Sequence, residues 1–341
     1  MKADVLGLDP STYSPHPLHG PDRVWAETNC AADLWIECLH ALGEDPVAGL
    51  AFTLSTDFDG EQWRMFTYPE DVLREIYGIE AHELNVWRPL YGHVVDQLSL
   101  GHLVAFDVDG WWLPDTAGLT YRCAHQKTTV LATMVDTGAR RLGYLHNTGY
   151  YILEGDDFDA VLPEAPPPGV LPPFTMEVRL EMPRVAEPDD PTTARRLASA
   201  SLARLPQDNP VHRMASRVAR DLETLRRDGI DAFHRWAFGT VRQCGANAEL
   251  AAAFSRRLLR DDLLEAGEAG PLLDAVAVGM KSAELALARA ARGRHVDVES
   301  IFEPLAERWE RALDLLDWAV REAGTAGALA ETPAVPTPAL A

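Results

Sequence analysis

The sequence predicts an α+β domain followed by an all-helical domain, and three features of its patterning support this division. Short runs of alternating apolar and polar residues, separated by Gly-containing turns, fill residues 102–153 and predict an antiparallel sheet. Residues 161–190 are rich in proline and predict a connector. Residues 191–322 carry apolar side chains at helical spacing almost throughout, which predicts a bundle of four or five helices.

The first domain is predicted to begin with helices. Residues 1–24 are rich in Pro, His and Gly and predict an irregular lead-in. Cys30–Leu42 then carries apolar residues at helical spacing, and Gly43 follows it as a stop signal. Two further helices are expected at Asp71–Tyr77 and His82–Leu100.

Strands follow these helices along the chain. The runs HLVAFDVDGWWL, KTTVLATMVD, RRLGYLHN and GYYIL predict an antiparallel meander, and FTMEVRLEM is a further extended piece inside the connector. We therefore divide the chain into an α+β domain at 20–160, a connector at 161–190, a helical domain at 191–325 and a tail at 326–341. The tail has too little apolar bulk to pack and is predicted to be disordered.

Composition limits the classes of function. The formal net charge of −21 argues against nucleic-acid or anionic-membrane partners, because both need a basic surface. No apolar run is long enough to span a bilayer and no signal peptide is evident, so the expected location is the cytoplasm. The four cysteines show neither disulfide nor zinc spacing, so no metal or other cofactor is expected.

Cys30 is the first candidate nucleophile, because it opens a predicted helix. Unpaired N–H groups and the helix dipole stabilise a thiolate at such a position. A histidine before a strand and a polar residue at the end of the next strand complete the serial order of papain-like thiol enzymes. His125 precedes the strand KTTVLATMV, and His146 and Asn147 end the strand after it.

The group that orients His125 is left open by the sequence. Asn147, His146 and Asp136 are all candidates, and Asn147 is preferred because the end of the returning strand best matches the papain-like order. Asn29 is a candidate oxyanion donor through its side-chain amide, as is the Cys30 backbone N–H. As the helix N-cap, however, Asn29 has a competing structural role.

Two segments resemble a known family. The run GHLVAFDVDGWWLPDTAGLTYRCAHQKTTVLATMVD is similar to part of the butirosin-biosynthesis acyltransferase N-terminal domain, and ETNCAADLWIECLH resembles the Cys-bearing helix of that family. Residues 24–158 as a whole resemble an uncharacterised bacterial domain family encoded near amino acid:carrier-protein ligases.

The resemblance implies a papain-like fold for the first domain and a function in secondary metabolism. Cys30 would accept an acyl or aminoacyl group from the phosphopantetheine thioester of a carrier protein and pass it to a small-molecule amine, with His125 as base. Asp109 and Trp112 would line the acyl pocket. The third strand of the pattern ends in His146-Asn147, whereas Asp is frequent at this position in papain-like sites.

Structural alternatives stand beside each of these assignments. Arg122 and Lys127 flank His125 and are candidates for binding an anionic substrate or the phosphopantetheine phosphate, although solvated surface residues fit equally well. Asp107 and Asp109 share one strand face, which is more typical of a polar face than of an acid pair. Hydrolysis by the same residues and a non-catalytic scaffold are the rival functions.

Overall fold

The computed structural model describes residues 1–165, 169–259 and 267–330 of the 341-residue chain. The chain forms two compact units. The first, here called the sheet unit, contains residues 1–50 and 65–190; the second, the helical unit, contains residues 51–64 and the chain from Pro191 onward. The α+β class with an antiparallel sheet and a helical C-terminal region is therefore confirmed.

The sheet is open, and all of its pairings are antiparallel. Its main path runs β2-β7-β3-β4-β5-β6, and β1 pairs with the far end of β4. The strands are β1 Lys2–Asp4, β2 Glu80–Glu83, β3 Leu103–Asp109, β4 Lys127–Asp136, β5 Arg141–His146, β6 Gly149–Glu154 and β7 Thr175–Arg179.

Strand β4 is central to this sheet. Its first half pairs with β3, from Asp109 opposite Lys127 to Val104 opposite Ala132, and its second half pairs with β1. Every residue from Thr129 to Val135 is buried, because both faces of the strand are covered. Lys127 and Thr128 are less buried, so this end of β4 is where polar side chains meet solvent.

In the described residues of the sheet unit, four α-helices accompany the strands: α1 Cys30–Ala41, α2 Glu70–Tyr77, α3 Leu90–Ser99 and α4 Asp156–Val161. Helix α1 begins at Cys30 because the Asn29 side-chain oxygen accepts the N–H groups of Ala31 and Ala32, at 3.2 and 3.0 Å. Helix α1 packs on β4 and β5, and most of it is buried.

Three segments of the sheet unit differ from the sequence prediction. Residues 1–24 contain strand β1, which finds a partner only through the distant strand β4. The expected helix His82–Leu100 is strand β2 followed by helix α3, because Pro89 separates the two and disfavours helical backbone before it. The extended piece FTMEVRLEM contains β7, which lies between β2 and β3 in the sheet.

The described part of the helical unit consists of α5 Pro191–Leu202, α6 Pro210–Asp228, α7 Ile230–Ala237, α8 Gln243–Leu258, α9 Ala269–Ala291 and α10 Val298–Ala330. Helix α9 packs against α8 and α10, and a π-helical turn at Phe238–Arg242 joins α7 to α8. Helix α10 extends into the predicted tail; residues 331–341 lie outside the described residues.

The segment 51–64 packs with these helices, although it lies within the predicted first domain. The Asn247 amide donates to the Thr53 carbonyl at 2.9 Å, and the Trp63 N–H donates to the Gly239 carbonyl at 2.8 Å. The Trp63 ring meets the Trp309 ring edge-on, with centroids 5.4 Å apart. These long-range contacts have no local sequence signal.

None of the helices within the described ranges combines the length and apolar character that crossing a membrane requires.

Candidate functional site

Cys30 lies at the first residue of α1, with its side chain half-buried against β4. The thiol donates a hydrogen bond to the Thr129 hydroxyl, with 3.8 Å between sulfur and oxygen. The Thr129 hydroxyl in turn donates to the Asp107 carboxylate at 2.7 Å. A chain of hydrogen bonds therefore leads from the thiol to a carboxylate.

Lys127 adds a positive charge to this network. Its ammonium lies 3.0 Å from the Asp107 carboxylate and 3.4 Å from the Thr129 hydroxyl. The Lys127 side chain is largely exposed, whereas Asp107 is mostly covered. Cys30, Thr129, Asp107 and Lys127 are here called the thiol cluster.

His125 forms a pair with Asp109 beside the thiol cluster. Nδ1 of His125 lies 2.6 Å from the Asp109 carboxylate, and the ring stacks on Trp111 with centroids 4.7 Å apart. The His125 side chain is 73% exposed. With the Nδ1 proton held by a carboxylate, Nε2 of the neutral ring is left unprotonated, as in a general base.

Asp109 is held in place by three donors. Besides His125, the backbone N–H groups of Trp111 and Gln126 donate to its other oxygen, at 3.0 and 3.2 Å. Burial raises the pKa of Asp109, but the hydrogen bonds from His125 and these two N–H groups outweigh it and hold the pKa below its usual range. Asp109 is therefore an anion that fixes the His125 ring.

The His125–Asp109 pair and the thiol cluster lie on one face of the sheet. Asp107 and Asp109 alternate along β3, and their partners on β4 are Thr129 and Lys127. Since Thr129 contacts Cys30 at the start of α1, these four side chains lie on the face of the sheet that faces α1. An open pocket of about 380 Å³ at the same end of the sheet is lined by Asp107, Val108, Asp109, His125, Gln126 and Lys127.

Asn29 acts as the helix cap. Its side-chain oxygen accepts two backbone N–H groups of α1, and its amide nitrogen donates to the Phe66 carbonyl at 3.1 Å. These bonds engage both ends of the side chain. The Cys30 backbone N–H belongs to the first turn of α1, where no helical carbonyl is available to accept its hydrogen bond.

Asn147 and His146 lie apart from the His125–Asp109 pair. Asn147 occupies the turn between β5 and β6 with a backbone φ of 45°, a conformation that asparagine adopts more readily than most residues. His146 is buried and is bonded to Asp115 and Thr128. Asp136 is the last residue of β4, and its side chain accepts the N–H groups of Gly138 and Ala139 in the turn that follows. Asp109 thus takes the orienting position for which Asn147 is the sequence-based choice.

Arg122 and Trp112 form a separate contact. The Arg122 guanidinium lies over the Trp112 ring, 4.5 Å from its centroid, and forms an ion pair with Asp157. Asp157 also accepts the Tyr121 hydroxyl at 2.9 Å. Arg122 is therefore already neutralised, and Lys127 is the predicted cation that lines the pocket with His125.

The other cysteines are poorer nucleophiles. Cys38 and Cys244 are fully buried, and burial raises the pKa of the Cys38 thiol to about 12 and that of Cys244 well above its usual value. Cys123 is exposed, and its thiol donates to the Leu119 carbonyl at 3.2 Å. Cys123 offers a control for reactivity that follows exposure alone.

The sequence analysis did not identify Thr129, and it interpreted Asp107 as part of a polar strand face. One signal was available: Asp107 and Asp109 share a strand face, and Lys127 and Thr129 share the face of the next strand. The pairing of β3 with β4, which brings the four side chains together, depends on the antiparallel register and is not visible in either strand alone.

Two further features of the described ranges bear on ligands. A larger pocket of about 970 Å³ lies at the other end of β4, where Lys2, Tyr77, Leu100 and His102 are among its lining residues, and it contains none of the predicted site residues. No group of three His, Cys, Asp or Glu side chains in the described ranges could hold a metal ion.

The fold and the site define a protein of two domains. The α+β domain has a cysteine at the first residue of a helix, and a helical domain follows it in sequence. Residues 14–180 match the model of the DUF1839 N-terminal domain, and residues 187–318 match that of the DUF1839 C-terminal domain. The chain belongs to the DUF1839 family, with both domains present in order. A search of curated proteins finds no match.

Proposed function

We propose that this protein is a cysteine-dependent acyltransferase that uses Cys30 as its nucleophile. The observation that carries the proposal is the position of the Cys30 thiol at the first turn of α1, on the same sheet face as the His125–Asp109 pair. A helix N-terminus favours the thiolate, and a carboxylate-held imidazole is a general acid and base. The order of these elements in the chain favours a papain-like arrangement.

The chemistry begins with attack of the Cys30 sulfur on the carbonyl carbon of a thioester donor. The thiol proton has a path through the Thr129 hydroxyl toward Asp107. The Cys30 N–H donates to the oxyanion of the tetrahedral intermediate. The donor carbon–sulfur bond then breaks, and the departing thiolate takes up the proton that left Cys30.

The second half of the reaction returns Cys30 to its thiol form. An amine attacks the acyl-Cys30 carbonyl, and His125 accepts a proton from the amine. The carbon–sulfur bond to Cys30 then breaks, and the Cys30 sulfur takes up that proton from His125. The products are an amide and a free thiol, so the step needs no oxidant or metal. Because the His125 side chain is largely exposed, it can meet an acceptor that arrives from solvent.

A carrier protein with a phosphopantetheine thioester is our proposed donor, and a small amine is the proposed acceptor. The resemblance of residues 24–158 to a family encoded near carrier-protein ligases supports this choice. Lys127 supports it too, because its exposed ammonium lines the pocket and can contact a phosphate. The free cysteines fit the proposed cytoplasmic location, where thiols stay reduced.

Intact-mass measurement with an acyl-pantetheine thioester tests the proposal. We expect one acyl group on the wild-type protein, none on Cys30→Ala, and one on Cys123→Ala, which serves as the exposed-cysteine control. Adding an amine should release the acyl group as an amide. Acylation that survives in Cys30→Ala, or that disappears in Cys123→Ala, would contradict the assignment of the nucleophile.

The same experiment separates transfer from hydrolysis. For a transferase, the acyl-enzyme persists in water and disappears when amine is added; for a peptidase or amidase, it decays at the same rate with or without amine. Folding of each variant is checked by its thermal unfolding, so that loss of acylation is not confused with loss of structure.

A non-catalytic scaffold is the second candidate, and one observation favours it. The hydrogen bond of the Cys30 sulfur goes to the Thr129 hydroxyl and that of the His125 ring goes to Asp109, so neither of these bonds joins the thiol to the imidazole. A scaffold predicts no acyl-Cys30 under any donor concentration, and binding of the carrier protein that is unchanged in Cys30→Ala.

A further inference from the structure

A second cluster of reactive side chains lies on the opposite face of β4 from Cys30. Thr128 precedes Thr129 in the strand, so its side chain points to the other face. The Thr128 hydroxyl lies 2.8 Å from Nε2 of His146, and Nδ1 of His146 lies 2.6 Å from the Asp115 carboxylate. Three elements supply the three groups: β4, β5 and the turn after β3.

The order of these atoms is that of a nucleophile, a base and an orienting acid. A hydroxyl contacts one ring nitrogen and a carboxylate contacts the other, which is the arrangement of Ser-His-Asp hydrolases. Because Asp115 accepts hydrogen bonds, the proton of the neutral His146 ring lies on Nδ1. Nε2 is then an acceptor for the Thr128 O–H, which is the direction that activates a hydroxyl.

The surroundings hold the base firmly. The side chains of His146 and Asp115 are only 1% and 4% exposed. The second oxygen of Asp115 accepts the Tyr144 hydroxyl, and burial together with the Asp115 charge raises the pKa of Tyr144, so this hydroxyl stays a donor. Asp115 is thereby fixed by two donors, and the His146 ring cannot turn without breaking both of its own bonds.

Thr128 lies near the end of β4 where the strand meets solvent. As a residue it is partly exposed, whereas His146 is buried. A histidine that only required hydrogen-bond partners would be satisfied by any donor and acceptor. The order here, from buried carboxylate through buried imidazole to the hydroxyl of a partly exposed residue, is the order that a nucleophilic site needs.

We infer that Thr128, His146 and Asp115 form a second nucleophilic site, with acyl esters or thioesters as its substrate class. The Thr128 oxygen attacks the acyl carbon while His146 accepts the hydroxyl proton. The bond from the acyl carbon to the leaving oxygen or sulfur breaks, and His146 gives its proton to that leaving group. The product is an ester on Thr128, which water hydrolyses with His146 again as base.

A fluorophosphonate probe tests this site without any knowledge of the natural substrate. The Thr128 oxygen would displace fluoride from phosphorus, and the hydroxyl proton would pass through His146 to solvent. The labelling is done in the full-length Cys30→Ala variant, so that the proposed thiol chemistry cannot contribute. We expect one label per chain, mapped by peptide mass spectrometry to the tryptic fragment that contains Thr128.

Three variants in that background sharpen the result. Thr128→Ser should keep the label, Thr128→Ala should lose it, and His146→Gln should slow labelling by at least about 100-fold. Thr148→Ala is the matched control, because Thr148 is a partly exposed threonine two residues after His146, and its labelling should equal that of the parent.

The inference is overturned if the parent protein takes up no label, or if the label persists in Thr128→Ala. Thermal unfolding of each variant accompanies the labelling. If His146→Gln does not fold, the comparison of Thr128→Ser with Thr128→Ala still decides, because serine keeps the hydroxyl in place. Since Cys30 is absent throughout, failure here leaves the proposed acyltransferase function untouched.

Discussion

Two histidine–carboxylate pairs on opposite faces of one sheet have the same geometry and different surroundings. In each pair, Nδ1 of the ring lies 2.6 Å from an aspartate oxygen: His125 with Asp109, and His146 with Asp115. The His125 side chain is 73% exposed, whereas that of His146 is 1% exposed. Exposure, rather than the pairing itself, decides what the second ring nitrogen can contact.

The difference in exposure also changes what each pair contributes to folding stability. An exposed pair is already solvated, so it contributes little to folding and is free to contact a ligand. A buried pair contributes little net stability when intact but is costly to break, because the remaining partner stays buried and unsatisfied. The same substitution should therefore cost more stability in the buried pair than in the exposed pair.

Removing Asp115 should have the largest effect on stability. Asp115→Ala leaves the Tyr144 hydroxyl and the His146 Nδ1–H without their acceptor in a buried environment, and we expect a loss of about 2–5 kcal/mol in the free energy of unfolding. Urea denaturation measures it. A loss below about 1 kcal/mol would show that water reaches these groups and that the pair is not buried in solution.

Another buried histidine, His19, sharpens the comparison through pH. His19 contacts both Asp33 and Glu37, and all three side chains are at most 1% exposed. Burial lowers the pKa of His19, but the bonds to Asp33 and Glu37 outweigh it and raise the pKa to about 9. The charged ring is therefore part of the folded state.

The sign of the pH dependence follows from this raised pKa. The stabilisation is fully present below the unfolded value of about 6.5 and is lost as the pH rises towards 9, by an amount on the order of 3 kcal/mol. Urea denaturation between pH 6.5 and 9 measures the loss, and His19→Gln should flatten the curve. A wild-type curve that is already flat would contradict the charged state of His19.

The cap of α1 should have an intermediate effect. Asn29→Ala leaves the N–H groups of Ala31 and Ala32 without their acceptor, and we expect a loss of about 1 kcal/mol. Asn29→Asp is the control, because aspartate is an equally good cap, and its stability should stay near that of the wild type. Equal losses in both variants would mean that the amide bond to Phe66 matters more than the cap.

Removing the charge of Asp109 should have the smallest effect on stability and a large one on reactivity. Asp109→Asn keeps an oxygen acceptor for the N–H groups of Trp111 and Gln126 and removes only the charge of a largely exposed pair, so the free energy of unfolding should fall by less than about 1 kcal/mol. Acylation of Cys30 should slow by roughly 100-fold, because His125 is no longer oriented by a carboxylate. Rapid-quench mass spectrometry measures the rate, and an unchanged rate would remove the pair from the proposed mechanism.

Local signals in the sequence were enough for much of the fold. The periodicity of Cys30–Leu42 and its Asn29 cap predict α1 within a residue of its observed end, and the alternating runs predict β3 to β6. Strand β1 was missed because three residues carry no period. The apolar spacing of His82–Leu100 fits one continuous helix, and Pro89 is the local signal that the segment contains the end of β2 and the separate helix α3.

The site was harder to predict, because its partners come from different strands. Cys30 and His125 are recognisable from their positions before a helix and a strand. The partners Asp109 and Thr129 become visible only when β3 is aligned with β4. The buried pair of His146 and Asp115 joins residues 31 apart in the chain, and no local pattern connects them.

The most direct test of the central claim compares two cysteines by their rates of alkylation with iodoacetamide. Cys123 is exposed and Cys30 is half-buried, so accessibility alone predicts that Cys123 reacts faster. If Cys30 is the nucleophile of an active site, peptide mass spectrometry should show faster alkylation at Cys30, and His125→Ala should reduce that rate while leaving Cys123 unchanged. Rates that follow exposure, with Cys123 first and no effect of His125→Ala, would contradict the account.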